Sequence, residues 1–172
     1  MTDLATCLNH YRMASPGVYC CIHVEVCLSD DVAVTPGIVL MVDHGRMRTA
    51  GPDDGHRRFL GPPNFIADVF ASQEDPEYVN RSRQLSDAQV AEYMAVFDTD
   101  PVTWRWHHHD GKSFQILPPD EDGILRSKAL PGMWIPEESL ARRDWWSILA
   151  TITRGVTRRG HHEFMDSIWN PG

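Results

Sequence analysis

Side chains that can bind a transition metal alternate along one stretch near the start of the chain. Cys21, His23, Glu25 and Cys27 take every second position within residues 18–28, which is the spacing of one face of a β-strand. Such side chains are ligands of Zn²⁺. Alternate side chains on a strand stand about 6 to 7 Å apart, so four consecutive ones cannot close a tetrahedron around one ion. The pattern therefore favours a half-buried strand face with small thiols over a zinc site.

Three histidines follow two tryptophans in the middle of the chain. Trp104 and Trp106 precede the run His107 to His109, which ends at the turn signal Asp110-Gly111. Such a tract could hold a metal or offer a stacking platform for nucleic-acid bases. Its position beside a hairpin turn favours a third interpretation, in which the tryptophans pack on the sheet and the histidines contact water.

Arginines concentrate near the carboxyl end of the chain, at Arg142, Arg143, Arg154, Arg158 and Arg159. Each guanidinium presents N–H donors in a planar fork that matches phosphate oxygens. This cluster is the best candidate for contact with nucleic-acid phosphates, with Arg142, Arg143, Arg158 and Arg159 as the expected contacts. The alternative is a solvated helix end whose positive charges face the negative end of the helix dipole.

Composition limits how such contacts could form. The chain has 172 residues and a net charge of −8 at pH 7, which argues against loose, charge-driven coating of nucleic acid. Any contact with DNA must therefore use a local patch. The four cysteines all lie in the first 27 residues, which predicts reduced thiols rather than a disulfide framework. Without a long apolar run or a secretory pattern, the sequence predicts a soluble cytoplasmic protein with no membrane partner.

Strands and helices that must position these residues follow in mixed order. Alternation predicts one strand over residues 18–28, and residues 46–63 are predicted to form a loop. Further strands are predicted over residues 38–42, 64–70, 94–97, 103–107, 113–117 and 124–127, and helices over residues 76–91, from Pro136 and after the cap residue Asp144. The expected architecture is one α+β domain, residues 1–172, with a mixed central β-sheet flanked by helices.

Several phrases resemble a known family. They are Gly61-Pro-Pro-Asn-Phe-Ile-Ala-Asp-Val69, Val90-Ala-Glu-Tyr-Met-Ala-Val-Phe-Asp98, Asp122-Gly-Ile-Leu-Arg-Ser127 and Leu130-Pro-Gly-Met-Trp-Ile135. With the order of elements, they resemble the bacterial restriction-endonuclease family that has the PD-(D/E)xK nuclease fold. The resemblance covers roughly residues 30–166 and implies a restriction-endonuclease-like arrangement of the sheet and helices.

The resemblance also implies where catalysis would occur. In the family, carboxylates hold Mg²⁺, the metal activates a water that attacks the phosphodiester, and a lysine stabilises the developing charge. The position of the first acid, after Pro36, is Gly37 in this chain, and that of the second acid is Asn64. Asp68 stands at the glutamate position and Arg81 at the lysine position. Asp68, Asn64 and Arg81 are thus the expected catalytic residues, with Asp68 and Asn64 as expected ligands of Mg²⁺.

These departures from the family pattern predict impaired or lost catalysis. One carboxylate remains where the family has three, and a neutral amide adds little affinity for Mg²⁺. Asp43, Asp53 and Asp54 are candidate replacement ligands, although aspartate is also a routine turn residue. The resemblance thus implies a metal-dependent DNA endonuclease with impaired catalysis. The alternative is an inactive nuclease fold that serves as a binding or assembly module, with DNA or a second copy of the chain as partner.

Overall fold

The structure is a computed structural model that describes residues 2–42 and 58–170, in which runs of strands are separated and flanked by helices. In chain order they are α1 (Thr2–Met13), β1 (Val18–Ile22), β2 (Glu25–Cys27), β3 (Ala33–Val34), β4 (Ile38–Val42), β5 (Arg58–Leu60), β6 (Phe65–Phe70), α2 (Pro76–Asp87), β7 (Glu92–Phe97), β8 (Thr103–His109), β9 (Phe114–Ile116), β10 (Ile124–Arg126), β11 (Trp134–Pro136), α3 (Glu137–Ala141), α4 (Trp145–Val156) and α5 (Arg159–Trp169).

A six-stranded sheet with the order β1-β4-β6-β7-β8-β9 forms the centre of the structure. β6 and β7 run parallel, and the other neighbours in this sheet are antiparallel. α2 connects the parallel pair, because parallel neighbours require a crossover. Two smaller sheets have the orders β3-β2-β5 and β10-β11. The predicted α+β class with a mixed central sheet flanked by helices is confirmed.

Apolar clusters cover both faces of the central sheet. Phe65 and Ala67 of β6 pack in the cluster that contains α1 and α4. Ile66 and Phe70 pack in the other cluster, which contains α2 and the β3-β2-β5 sheet. Successive β6 residues thus face opposite sides of the sheet. Because Asp68 alternates with Ile66 and Phe70, its side chain lies on the face that α2 covers.

Capping residues fix the starts of two helices near this sheet. The Asp75 carboxylate accepts a hydrogen bond from the Glu77 N–H at 2.9 Å, and Pro76 opens α2. Asp144 caps α4 as predicted, by accepting from the Ser147 N–H. α2 ends at Asp87 rather than at residue 91, because the chain turns at Gln89, whose φ is 58°. This turn lets β7 begin at Glu92.

The prediction of one strand over residues 18–28 is wrong. The chain breaks at His23, whose φ is 48°, so β1 joins the central sheet and β2 joins a small one. One continuous strand would place Ile22 and Val26 on the same face, but Ile22 is 58 % exposed whereas Val26 is fully buried. Cys21, His23, Glu25 and Cys27 therefore do not line one strand face. Residues 2–42 and 58–170 contain no group of three or more His, Cys, Asp or Glu side chains that could hold a metal ion.

The predicted loop over residues 46–63 contains a strand at its end, since β5 pairs in parallel with β2. Residues 43–57 lie outside the described residues, and with them the candidate ligands Asp43, Asp53 and Asp54. None of the helices described here is long and apolar enough to cross a bilayer.

Candidate functional site

Asp68 is a buried carboxylate in the middle of β6. Its Oδ1 accepts a hydrogen bond from the Gly37 N–H at 2.7 Å, because Ile38 pairs with Ala67 across the β4-β6 ladder. Its Oδ2 lies 3.4 Å from Nη1 of Arg81. Both oxygens of this carboxylate thus contact donors supplied by the protein.

Arg81 reaches Asp68 from the buried side of α2. Its side chain is 13 % exposed and that of Asp68 is 10 % exposed. The second guanidinium nitrogen, Nη2, lies 3.6 Å from the exposed carboxylate of Glu77, one helical turn earlier. The guanidinium therefore bridges a buried and an exposed carboxylate, and water reaches Asp68 only to a small extent.

Electrostatic effects on Asp68 oppose one another. Burial is the largest effect and raises the pKa of this carboxyl above its ordinary value. The Gly37 N–H and the Arg81 guanidinium lower the pKa, and the charge of His23 does so more weakly. The site is thus a buried ion pair with added hydrogen bonds, and each of its charges depends on the other.

Asn64 does not lie beside the pair of Asp68 and Arg81. It directly precedes β6, and its side-chain oxygen accepts a hydrogen bond from the Val42 N–H at 2.8 Å. Four residues along a strand span about 13 Å, whereas ligands of one Mg²⁺ each lie about 2 Å from the ion. One ion therefore cannot bind both Asn64 and Asp68 in this conformation. The structure does not bring the two expected ligands together, and Asp68 is contacted by N–H donors rather than by further oxygen ligands for Mg²⁺.

Aromatic and polar side chains surround the ion pair on the same face of the sheet. The Tyr78 hydroxyl lies 3.2 Å from Nε2 of His107, and the rings of Tyr93 and His107 stack. Burial raises the pKa of Tyr93, and the charge of Asp68 raises it further. The Tyr93 hydroxyl has no hydrogen-bond partner among the described residues. These groups are buried together beneath α2.

Only part of the prediction for the histidine tract is right. Trp106 is buried in the core as expected. His107 is also buried, contrary to the expectation that the histidines contact water, because β8 turns its side chain toward α2. Burial lowers the pKa of His107 to about 4, so its ring is neutral at pH 7.

A second buried carboxylate, Glu92 of β7, escaped the sequence analysis as a functional contact. It accepts hydrogen bonds from Nε1 of Trp106 at 3.2 Å and from Oγ of Ser127 at 2.7 Å. The backbone N–H groups of Lys128 and Ala129 donate to its other oxygen, at 2.6 and 3.0 Å. Four donors leave this carboxylate no free role in proton transfer. It instead fixes the segment that precedes the β10-β11 hairpin turn.

The predicted arginine cluster separates into two groups. Arg142 and Arg143 lie before α4, where they pair with Glu138 and Asp98, each at 2.5 Å. Arg158 and Arg159 lie after α4, a helix of 12 residues that spans about 18 Å. The second group meets partners that the sequence analysis missed, Arg126 and Trp134 of the hairpin.

The fold has a recognisable neighbour among solved structures. The chain is similar to a structure described as "a putative nuclease belonging to DUF820 from Anabaena variabilis", with a TM-score of 0.54 and 10 % sequence identity. The similarity covers 88 % of this chain and 78 % of that chain. The likeness is one of fold. At this identity a nuclease-like fold does not establish a shared reaction.

Comparisons of the sequence itself add no relative. No protein-family model matches the chain, and no curated protein does. The similarity to the solved structure therefore rests on the arrangement of the sheet and helices alone.

Proposed function

We propose that this chain is a nuclease-fold protein that binds DNA without hydrolysing it at the position where PD-(D/E)xK relatives bind Mg²⁺. The observation that carries the proposal is the buried pair of Asp68 and Arg81. Arg81 supplies positive charge where the resemblance places a metal and a lysine, and the Gly37 N–H occupies the other carboxylate oxygen.

The chemistry of hydrolysis explains why this pair would not catalyse it. A metal lowers the pKa of a bound water and holds it against the phosphorus. A guanidinium has no open coordination position and keeps its protons near neutral pH. Admitting an ion would also require Arg81 to leave its buried pairing with Asp68, because two cations beside one carboxylate repel each other. The Asp68 site thus stabilises the fold and does not activate water.

DNA binding is supported by the nuclease-like fold and by arginines at the end of α4. Because the chain carries a net charge of −8, only a local basic surface can attract a polyanion. Arg154 and Arg158 lie side by side over Trp134, each with its guanidinium carbon 6.0 Å from the ring centroid.

Metal titration and a plasmid assay test the catalytic half of the proposal. We expect Mg²⁺ or Mn²⁺ to leave the melting temperature unchanged, because an ion that binds only the folded state must raise it. We also expect no nicking of supercoiled plasmid. Nicking that requires the metal, stops with a chelator and disappears in a folded Asp68→Asn variant would overturn the proposal.

A homo-oligomeric assembly module is the second candidate. Trp146 near the start of α4 is 83 % exposed, and Trp169 at the end of α5 is 64 % exposed. Large aromatic side chains are enriched in interfaces. Light scattering after size exclusion would support this candidate if the parent is a dimer and Trp146→Ser is a monomer. A monomeric parent would exclude it.

A further inference from the structure

We propose that the surface cleft around Trp134 binds the phosphates of a nucleic-acid backbone. This cleft, here the Trp134 cleft, has a volume of about 750 Å³ and is lined by Arg126, Arg154, Arg158, Arg159, Asp122 and Trp134 itself. The inference depends on the DNA-binding half of the proposed function and gives that function a site.

Trp134 organises the arginines. It pairs with Arg126 across the β10-β11 ladder, and the Arg126 guanidinium carbon lies 3.9 Å from the ring centroid, which is stacking distance. Arg126 also pairs with Asp120, and with Asp122 at 3.7 Å. This guanidinium is therefore held in place before any ligand arrives.

Close packing of α4 on the hairpin brings the other arginines to the same ring. A side chain at Gly155 would lie 2.2 Å from the Gly132 carbonyl oxygen and 3.0 Å from Cδ2 of Trp134. Only a glycine permits this approach. Arg154 directly precedes Gly155 and Arg158 follows three residues later, so the contact that requires glycine brings both arginines near the indole.

Two of the four arginines in the Trp134 cleft have no carboxylate partner among the described residues, so the cleft can bind an anion. Arg159 pairs with Glu163 at 2.6 Å, and Arg126 has its two aspartates. Within residues 2–42 and 58–170, by contrast, no carboxylate forms an ion pair with Arg154 or Arg158. Both are exposed, and each presents a planar fork of donors suited to phosphate oxygens.

The start of α5 adds to the positive field. Arg158 is its N-cap residue and makes no side-chain cap hydrogen bond. Gly160 also lines the Trp134 cleft, and a Cβ built there meets nothing within 4 Å. The positive end of this 11-residue helix therefore opens into the same space as the unpaired arginines.

The ligand is a backbone rather than a base. Arg126 covers the indole ring and Gly155 packs against its Cδ2, so Trp134 offers no free face for base stacking. Arginines that touch only phosphates bind nucleic acid with little regard to sequence. A duplex of any sequence should therefore bind.

Fluorescence anisotropy with a short labelled DNA duplex tests the site. The test variant is Arg154→Ala with Arg158→Ala. The matched control is Arg12→Ala with Arg83→Ala, which removes the same charge from two other exposed arginines. We expect the test variant to bind at least about tenfold more weakly than the parent, and the salt dependence of log K to become shallower by about two. The control should bind within about twofold of the parent.

Each other result counts against the Trp134 cleft. Equal weakening in both variants would mean that overall charge, and not this site, attracts DNA. Unchanged binding in the test variant would remove the site while the DNA-binding function stands. No binding by the parent would overturn both. If a labelled nucleoside triphosphate binds more tightly than the duplex, the ligand of the cleft is a small phosphate compound and the proposal of a nucleic-acid backbone is wrong. Circular dichroism confirms that each variant folds.

Discussion

A single exchange of residue type changes what the Asp68 site can do. The Arg81 guanidinium contacts Oδ2 of Asp68 and also reaches Glu77, so it occupies one of the two oxygens that a metal ion would need. The Gly37 backbone supplies a donor where a carboxylate would supply a ligand. At this scale the chemistry follows from which atoms contact Asp68, and not from the fold around it.

A second carboxylate beside Asp68 should therefore create a site for a metal ion. Gly37→Asp with Arg81→Lys places a second carboxylate beside Asp68 and removes the guanidinium that competes with an ion. We expect Mn²⁺ to raise the melting temperature of this variant, since adjacent ligands of one ion act together. The matched control is Asn64→Asp with Arg81→Lys, which adds the same charge about 13 Å away. Equal stabilisation of both variants would show that the ion binds elsewhere.

His107 should make stability depend on pH. Its pKa in the folded protein is about 4, below the ordinary value of 6.5, so unfolding takes up a proton between these values. Stability from neutral His107 is complete above pH 6.5 and is lost as the pH falls toward 4. We expect His107→Gln to lose less melting temperature over that range than the parent. The exposed His162→Gln is the control, and a parallel fall in all three proteins would contradict this assignment.

The positions of helices and strands are easier to predict from the sequence than the strands with which each of them pairs. β4, β6 and the β8-β9 hairpin follow directly from apolar runs and the Asp110-Gly111 turn. α1 carries a usable signal that the sequence analysis missed, since its buried residues Leu4, Cys7, Leu8 and Tyr11 have helical spacing. The break at His23 had no local signal, because alternation continues through it and only pairing with distant strands separates β1 from β2.

In the candidate site, too, contacts between neighbouring elements can be predicted from the sequence, and contacts between distant elements cannot. Asp68 and Arg81 meet because α2 packs over the strand that precedes it, which is a local βαβ arrangement. Asn64 lies four residues before Asp68, about 13 Å along the strand direction, so the family pattern does not bring the two side chains together in this chain. Arg126 and Trp134 were missed because their meeting with α4 depends on Gly155 and Gly132, which are far apart in sequence. Sequence spacing predicts contacts within an element and its neighbour, and tertiary packing decides the others.

Glu92 should stabilise the connection between β7 and the β10-β11 hairpin. Its two oxygens accept four hydrogen bonds, and a glutamine would turn an amide donor toward some of those donors. We expect Glu92→Gln to lower the free energy of unfolding by about 2 to 4 kcal/mol, because buried donors would lose their acceptor. Urea denaturation measures this loss. The exposed Glu121→Gln is the control, and a loss no larger than that of the control would mean the segment holds without the carboxylate.

Over the whole molecule, a negative net charge and a small basic cleft act against each other. DNA approaching at a distance meets the overall charge of −8, which repels it, and this repulsion weakens as salt shortens the range of the field. Phosphates that reach the Trp134 cleft meet arginines at contact distance. Binding should therefore depend on few contacts and on no extended surface.

Salt dependence measures the number of those contacts. Each neutralised phosphate contributes about −0.9 to the slope of log K against log salt, so four arginines allow a slope no steeper than about −4. Overall repulsion acts in the opposite direction and should flatten the slope at low salt. We expect a slope of about −2 to −4 from anisotropy titrations of the DNA duplex, with the same value for duplexes of different sequence, because the arginines contact the backbone alone.

A slope much steeper than −4 would require a larger basic surface than the Trp134 cleft. Strong preference for one sequence would require contacts with base edges, which a cleft whose one indole ring is already covered does not supply.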